Sequence, residues 1–161
     1  MGDAAVQPPT IEPPLGMYPS RLDDHGRVKL PAKFQEYFSA LEEKRFFVTS
    51  INRRTAQVYT IRAWRENAKF LAGYRADTKK AKNVAFNAAD LGAEAEIDSQ
   101  GRVLFSPELR RALEIENQPV RLYAYRGRIE VISDKIYQEL KSSASANPED
   151  DLATLEAAGL N

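Results

Sequence analysis

A seven-residue stretch near the start of the chain returns further along with four of its residues unchanged. The first copy is Leu22–Val28 (LDDHGRV) and the second is Ile97–Val103 (IDSQGRV), an offset of 75 residues. Asp, Gly, Arg and Val stand at the same places in both copies, with no insertion. Such internal similarity predicts that the chain folds as two versions of one structural unit.

Each copy has the composition of a hairpin turn that leads into a strand and a short helix. Gly reaches positive φ angles without steric cost, so Gly26 and Gly101 are the residues expected to shape the two turns. Alternating apolar residues after each turn predict a returning strand. Pro31 and Pro107 then predict helix starts, with Ser106 as the N-cap of the second helix.

Two more strands and a longer helix complete each unit. They are predicted at 46–51, 57–61 and 62–72 in the first unit, and at 119–125, 129–132 and after Ser133 in the second. The helix at 62–72 carries Trp64, Ala68 and Leu71 on one face, which is more typical of a core face than of a ligand site. Neither unit can bury its apolar faces alone, so the two are expected to share one β core. The predicted fold class is therefore α+β: two tandem units forming a small, pseudo-symmetric β-barrel core with peripheral helices.

Composition divides the chain into two units, a connector and two terminal segments. The units are expected at 17–72 and 93–141. Between them, 73–92 is predicted to be a basic connector, either solvated or in contact with phosphate backbone. Residues 1–16 are predicted to form a flexible Pro-rich leader, or alternatively an arm on a neighbouring subunit, and 142–161 a flexible acidic tail.

The net charge of +0 conceals an uneven distribution. Residues 1–20 carry −2 and 134–161 carry −4, whereas the body at 21–133 carries +6. A basic body is compatible with a nucleic-acid partner. No apolar run approaches the roughly 20 residues of a membrane span, and the start shows no secretory signal, so no membrane partner and a cytoplasmic location are expected.

Catalytic chemistry finds little support in the residues. Cysteine is absent, which excludes disulfides and Cys-based zinc sites. The single histidine, His25, leaves no pair of histidines for a metal and no supported general base. No Gly-rich phosphate loop follows a strand in the required context. We therefore expect no enzyme, no cofactor and no small-molecule substrate.

The Arg beside each Gly is the feature that a turn alone does not explain. A tight turn needs Gly, and the Asp can serve it, but neither requirement extends to Arg27 or Arg102. Arg offers a rigid fork of donors that suits phosphate and the O6 and N7 atoms of guanine. Asp23 and Asp98 are expected either to accept hydrogen bonds from turn amides or to steer the guanidinium groups.

The two motifs and the segments after them resemble the MraZ family of bacterial transcriptional regulators, within the swapped-hairpin AbrB superfamily. The matching residues are Asp23, Gly26, Arg27, Pro31, Ala32, Lys33 and Phe34, followed by Asp98, Gly101, Arg102 and Pro107. The resemblance covers about 17–140. It implies two AbrB-like swapped-hairpin units in one protomer, and motif loops that face DNA.

The resemblance also implies a function and the residues that serve it. The implied function is sequence-specific binding of double-stranded DNA at short direct repeats upstream of the division and cell-wall gene cluster, including the protein's own gene. The implied assembly is a ring-like homo-oligomer associated with the nucleoid. The candidate DNA-binding residues are Arg27, Arg102, Asp23, Asp98, Lys29 and Lys33.

Two positions depart from the family pattern, and one alternative function stays open. His25 stands where a Lys often precedes the first Gly, and Gln35 stands where an Arg often follows the Phe of the first helix. Both departures remove a cation from the first unit. The alternative function is an AbrB-like antitoxin or protein-interaction module that uses the acidic tail.

Overall fold

The computed structural model describes residues 10–161, so residues 1–9 of the predicted leader lie outside the described part. Its first half contains β1 (Met17–Arg21), β2 (Arg27–Lys29), α1 (Ala32–Ala40), β3 (Arg45–Thr49), β4 (Ala56–Thr60), α2 (Ile61–Gly73) and α3 (Thr78–Leu91). Its second half contains β5 (Ala93–Glu96), β6 (Arg102–Leu104), α4 (Pro107–Leu113), β7 (Pro119–Tyr125), β8 (Arg128–Ser133), α5 (Asp134–Ala144) and α6 (Pro148–Ala157). The prediction of an α+β fold is confirmed.

The strands of the two halves are interleaved in one sheet. Six strands form one sheet in the order β1-β7-β8-β4-β3-β5, and every neighbouring pair is antiparallel. β2 and β6 form a separate two-stranded antiparallel ribbon. β1 and β2 flank the first turn but pair with each other only at an isolated bridge between Leu22 and Val28. Each strand of this hairpin therefore finds its main partner in the other half of the chain.

One apolar cluster lies between these elements and draws on both halves. Phe34 of α1 and Leu109 of α4 are fully buried in it, as are Val28 and Val103 of the ribbon. The rings of Phe34 and Tyr18 pack in a T-shaped arrangement at 5.3 Å between centroids, a geometry that aromatic pairs prefer. The expectation of one shared core is confirmed.

Helix starts follow the capping chemistry of the sequence. Ser106 accepts a hydrogen bond from the backbone N–H of Leu109, and Pro107 occupies the first turn of α4, as predicted. Ser133 caps α5 in the same way by accepting from the N–H of Ile136.

The structure shows three features of its helices that the sequence did not predict. The connector contains α3, whose N-cap Asp77 accepts from the N–H of Lys80. The predicted flexible tail contains α6, which begins at Pro148 and has three acidic residues in its first turn, a placement that the helix dipole favours. The predicted core face of α2 is only partly covered, and α2 has no buried residue. The unit boundaries remain predictions.

No helix within residues 10–161 combines the length and the apolarity needed to cross a bilayer.

Candidate nucleic-acid interface

The two motif turns have the same backbone geometry. In the first, one carboxylate oxygen of Asp23 accepts hydrogen bonds from the backbone N–H groups of His25 and Arg27, both at 2.9 Å. The backbone also closes there, since the N–H of Gly26 donates to the Asp23 carbonyl at 3.1 Å. Gly26 has a φ of 78°, in the left-handed region that favours glycine.

The second turn repeats each of these contacts. Oδ1 of Asp98 accepts from the N–H groups of Gln100 and Arg102, at 2.8 and 2.9 Å. The N–H of Gly101 donates to the Asp98 carbonyl at 3.0 Å, and Gly101 also has a φ of 78°. The first role considered for the motif acid, hydrogen bonding to turn amides, is therefore present in both copies.

These hydrogen bonds stabilise the charged form of both acids. The N–H of Arg27 is the main cause that lowers the pKa of Asp23 below its ordinary value of 3.8. The N–H of Arg102 lowers the pKa of Asp98 in the same way. Both carboxylates are therefore ionised at neutral pH and already accept donors from their own turns.

The ribbon that joins the turns has one buried face and one outward face. Val28 and Val103 lie opposite each other and are fully buried. Because successive strand residues point to opposite faces, their neighbours point away from the core. The outward face presents Arg27, Lys29, Arg102 and Leu104.

Three of the sequence-predicted DNA contacts therefore lie together. Arg27 is paired with Leu104 across the ribbon, and Lys29 is paired with Arg102. Direct cross-strand partners share a face with their Cβ atoms roughly 5 Å apart. The outward face thus holds cations from both copies of the motif.

The two arginines are held differently. The Nε of Arg102 donates to Oδ2 of Asp98 at 2.9 Å, and its Nη1 lies 3.9 Å from Oδ2 of Asp23. Within residues 10–161, Arg27 makes no side-chain ion pair of this kind. The second role considered for the acid, steering a guanidinium, is therefore present at Asp98 and Arg102.

Each turn is supported from beneath by a side chain of the other half. Gln35 of α1 donates to the Leu30 carbonyl at 2.7 Å and lies directly against Gly101. A Cβ at Gly101 would lie well inside van der Waals contact with the Gln35 amide. The departure from the family pattern at Gln35 thus places a packing and hydrogen-bonding group there.

Arg110 of α4 has the equivalent position in the other half. It donates from Nη1 to the Phe105 carbonyl, pairs through Nε with Glu116 and lies directly against Gly26. The backbone ties the halves as well, because the N–H of Phe105 donates to the Gly26 carbonyl at 2.9 Å. The two turns are therefore mutually supported parts of one surface.

The remaining predicted residue lies outside the ribbon, and one residue of the ribbon was not predicted. Lys33 is exposed in the first turn of α1, which follows β2. Leu104 is absent from the predicted set, although it is 46% exposed on the outward face. The period of two along β6 could have identified it, since it stands two residues after Arg102, as Lys29 does after Arg27.

The sequence is similar to those of several known proteins over most of its length. No protein-family model matches. "Transcriptional regulator MraZ" of Acidobacterium capsulatum is 27% identical over 141 residues, which are 88% of this chain and 96% of the relative. The protein of that name from Caldanaerobacter subterraneus subsp. tengcongensis is 30% identical over 138 residues, covering 84% and 92%. That of Koribacter versatilis is 29% identical over 134 residues, covering 83% and 88%.

Proposed function

The chain belongs to the MraZ family of transcriptional regulators, and on that premise we propose that it is a sequence-specific regulator that binds double-stranded DNA. The proposed contact surface is the outward face of the β2–β6 ribbon. The major groove of B-DNA is about 12 Å wide and admits a two-stranded ribbon. Arg27 and Arg102 are the proposed contacts to guanine or phosphate.

The observation that carries the proposal is the pairing of Lys29 with Arg102 across the ribbon. Like charges directly opposite each other destabilise a pair of strands. Asp98 and Asp23 both pair with Arg102, but no carboxylate within residues 10–161 pairs with Lys29. A bound anion would relieve the remaining repulsion. Phosphate supplies that anion, and the two arginines add base-edge recognition beside it.

The motif acids have a supporting role in this proposal. Asp23 and Asp98 contribute to DNA binding indirectly, because they hold the loops that carry Arg27 and Arg102. A carboxylate facing phosphate would be repulsive, and both of these accept hydrogen bonds from their own turns instead. Lys33 extends the basic surface from the start of α1.

The proposal extends to the DNA target, the location, the assembly and the fold of the protein. We propose that the target is short direct repeats upstream of the division and cell-wall gene cluster, including the protein's own gene. The protein would act in the cytoplasm, at the nucleoid, as a ring-like homo-oligomer. Many weak loop contacts in register on one ring would add through effective concentration. The exchange of partners between β1–β2 and the other half supports a swapped-hairpin barrel made of two pseudo-symmetric units.

The experiment measures binding of the purified protein to a labelled duplex from the region upstream of its own gene. Arg27→Ala and Arg102→Ala should each weaken binding at least tenfold while leaving the folded state and the oligomer size unchanged. Arg126→Ala is the matched control, because Arg126 is exposed in the β7–β8 turn, outside the ribbon. Parental affinity in both loop variants would refute the proposal.

A parent protein that bound no DNA, but captured another protein through its acidic C-terminal segment, would instead favour the antitoxin or interaction-module alternative.

A further inference from the structure

An open apolar groove lies between α2 and α3, on a surface that the proposed DNA contact does not use. Its volume is about 490 Å³. Its lining includes Phe47, Trp64, Ala68, Leu71, Ala81 and Ala85. The Trp64 ring packs against the rings of Phe47 and Tyr59, each at 5.0 Å between centroids, so its position is fixed.

This groove accounts for the incomplete burial of α2. The helix is amphipathic, and its apolar face carries Trp64, Ala68 and Leu71, yet no residue of α2 is buried. α3 covers one side of this face and leaves the other side open. Alanines on both walls would allow the backbone of another helix to approach closely.

The surroundings of the groove are basic. Residues 61–91 contain seven Lys or Arg and three Asp or Glu, a net charge of +4. Two of these cations, Arg75 and Lys82, line the groove itself. A helix that docks there would need an apolar face flanked by acids.

α6 has this chemistry and has no partner among residues 10–161 that buries any of its residues. Leu152 and Leu155 stand three residues apart on one face, and they are 48% and 55% exposed. Leu160 beyond the helix is 49% exposed. Residues 145–161 contain four acids and no Lys or Arg, a net charge of −4 that is opposite in sign to that of residues 61–91.

We propose that α6 of one copy docks in the α2–α3 groove of a second copy. Leu152 and Leu155 would pack against Trp64 and the alanine-lined walls, and the acids of α6 would face Arg75 and Lys82. This contact goes beyond the proposed DNA binding, because it involves neither motif turn.

The covalent connection of α6 favours a second copy over the same chain. Only 145–147 separate α6 from α5. α5 packs on β7 and β8 with Ile136 buried, and Glu139 pairs with Arg54 of the β3–β4 turn at 2.7 Å. α2 and α3 pack instead on β3 and β4, on the other side of the same sheet's midline. Own-chain docking would require the α5–α6 connection to rearrange.

The absence of cysteine from the chain makes disulfide trapping a direct test. Two full-length single variants, Ala85→Cys and Leu155→Cys, are given different affinity tags, mixed and mildly oxidised without DNA. The expected product is a covalent heterodimer. Ala153→Cys is the matched control, because it lies two residues from Leu155 and faces away on the helix.

The outcomes separate the possible arrangements. A heterodimer formed in higher yield with Leu155→Cys than with Ala153→Cys supports the proposal. Equal yields, or no heterodimer, overturn it. A chain carrying both Ala85→Cys and Leu155→Cys that cross-links only within itself also overturns it, since the partner is then the same copy.

Charge reversal adds an independent test of the contact. Lys82→Glu should lower the trapping yield, and Glu156→Lys in the partner variant should restore it. Restoration would support the docking, and a yield insensitive to Lys82→Glu would overturn the charge complementarity on which it rests. The cysteine and charge variants leave Arg27 and Arg102 unchanged. If Arg27→Ala lost DNA affinity while the cross-link still formed, the result would bear on DNA binding and not on the docking of α6.

Discussion

Replacing Gly101 by Ala tests whether each motif turn is held by a side chain from the other half. Gly101 has a φ of 78°, where an L-residue costs about 1–2 kcal/mol. The reduced freedom of the unfolded chain returns about 0.4–1 kcal/mol of stability. Strain alone therefore predicts a loss of up to roughly 1.5 kcal/mol.

The new methyl group adds a second cost that comes from Gln35. It cannot fit beside the Gln35 amide, so that side chain must leave the Leu30 carbonyl, to which it donates at 2.7 Å. Leu30 is 1% exposed, and a buried carbonyl left without a donor costs about 1–3 kcal/mol. The total expected loss is about 1–4.5 kcal/mol.

Gly127 provides the matched control. It has the same φ of 78°, but a Cβ there would meet nothing within 4 Å. Gly127→Ala should therefore show the strain alone. At about 2–4 °C per kcal/mol for a chain of this size, the thermal midpoint of Gly101→Ala should fall several degrees further than that of Gly127→Ala.

The assay is urea and thermal unfolding at one fixed protein concentration, because association would shift the midpoint. In a Gln35→Ala background, the methyl group meets no amide. Gly101→Ala should then cost no more than Gly127→Ala. Equal losses for the two glycine variants in the parental background would refute the support of the turn by Gln35.

Three further stability effects follow from individual contacts. Asp23 and Asp98 have lowered pKa values because turn amides stabilise their charged forms. This stabilisation is present above about pH 3.8 and is lost as the pH falls below that value. Urea midpoints measured from about pH 5 to about pH 3 should therefore fall less in Asp98→Asn than in the parent. Ser106→Ala removes the cap of α4 and should cost about 1 kcal/mol in urea unfolding; no loss would contradict the capping role. Glu130→Ala removes the carboxylate to which the buried Gln57 amide donates at 2.9 Å, while Thr55 remains as its other acceptor. The loss of this hydrogen bond to a charged group should cost about 1.5–3 kcal/mol in urea unfolding, and an unchanged midpoint would contradict its contribution.

The order of elements is predictable from the sequence because its turns and caps are local. Asp, Gly, Ser and Pro determine the conformation of residues within four positions of themselves. The turn at Gly26, the cap at Ser106 and the start of α4 therefore follow from the sequence alone. α3 is not predicted because most of its apolar residues are alanines, such as Ala81 and Ala88, which give little contrast against its lysines.

The pairing of strands could not be predicted from local patterns. The turn at Gly26 predicts that β1 and β2 pair with each other, but their main partners are β7 and β6. That choice depends on how two similar halves bury their apolar faces together. The outward face of the ribbon, including Leu104, depends on it too, since both strands contribute to that face.

The sequence predicts a set of residues for the candidate interface but not their arrangement. The repetition of Arg beside Gly is enough to single out Arg27 and Arg102. It does not indicate that Arg102 is held by two carboxylates whereas Arg27 makes no such pair among the described residues. Nor does it indicate that Lys29 lies opposite Arg102, because that pairing joins strands from different halves of the chain.

The salt dependence of DNA affinity tests the central claim most directly. Each phosphate contact to duplex DNA contributes about 0.9 to the slope of log affinity against log salt concentration. Lys29→Ala should make this slope shallower by about 0.9 for every copy of Lys29 in the oligomer that contacts the duplex. The matched control Arg126→Ala should leave the slope unchanged. A parental slope in Lys29→Ala, or a parent affinity insensitive to salt, would contradict the assignment of the outward face of the ribbon to DNA.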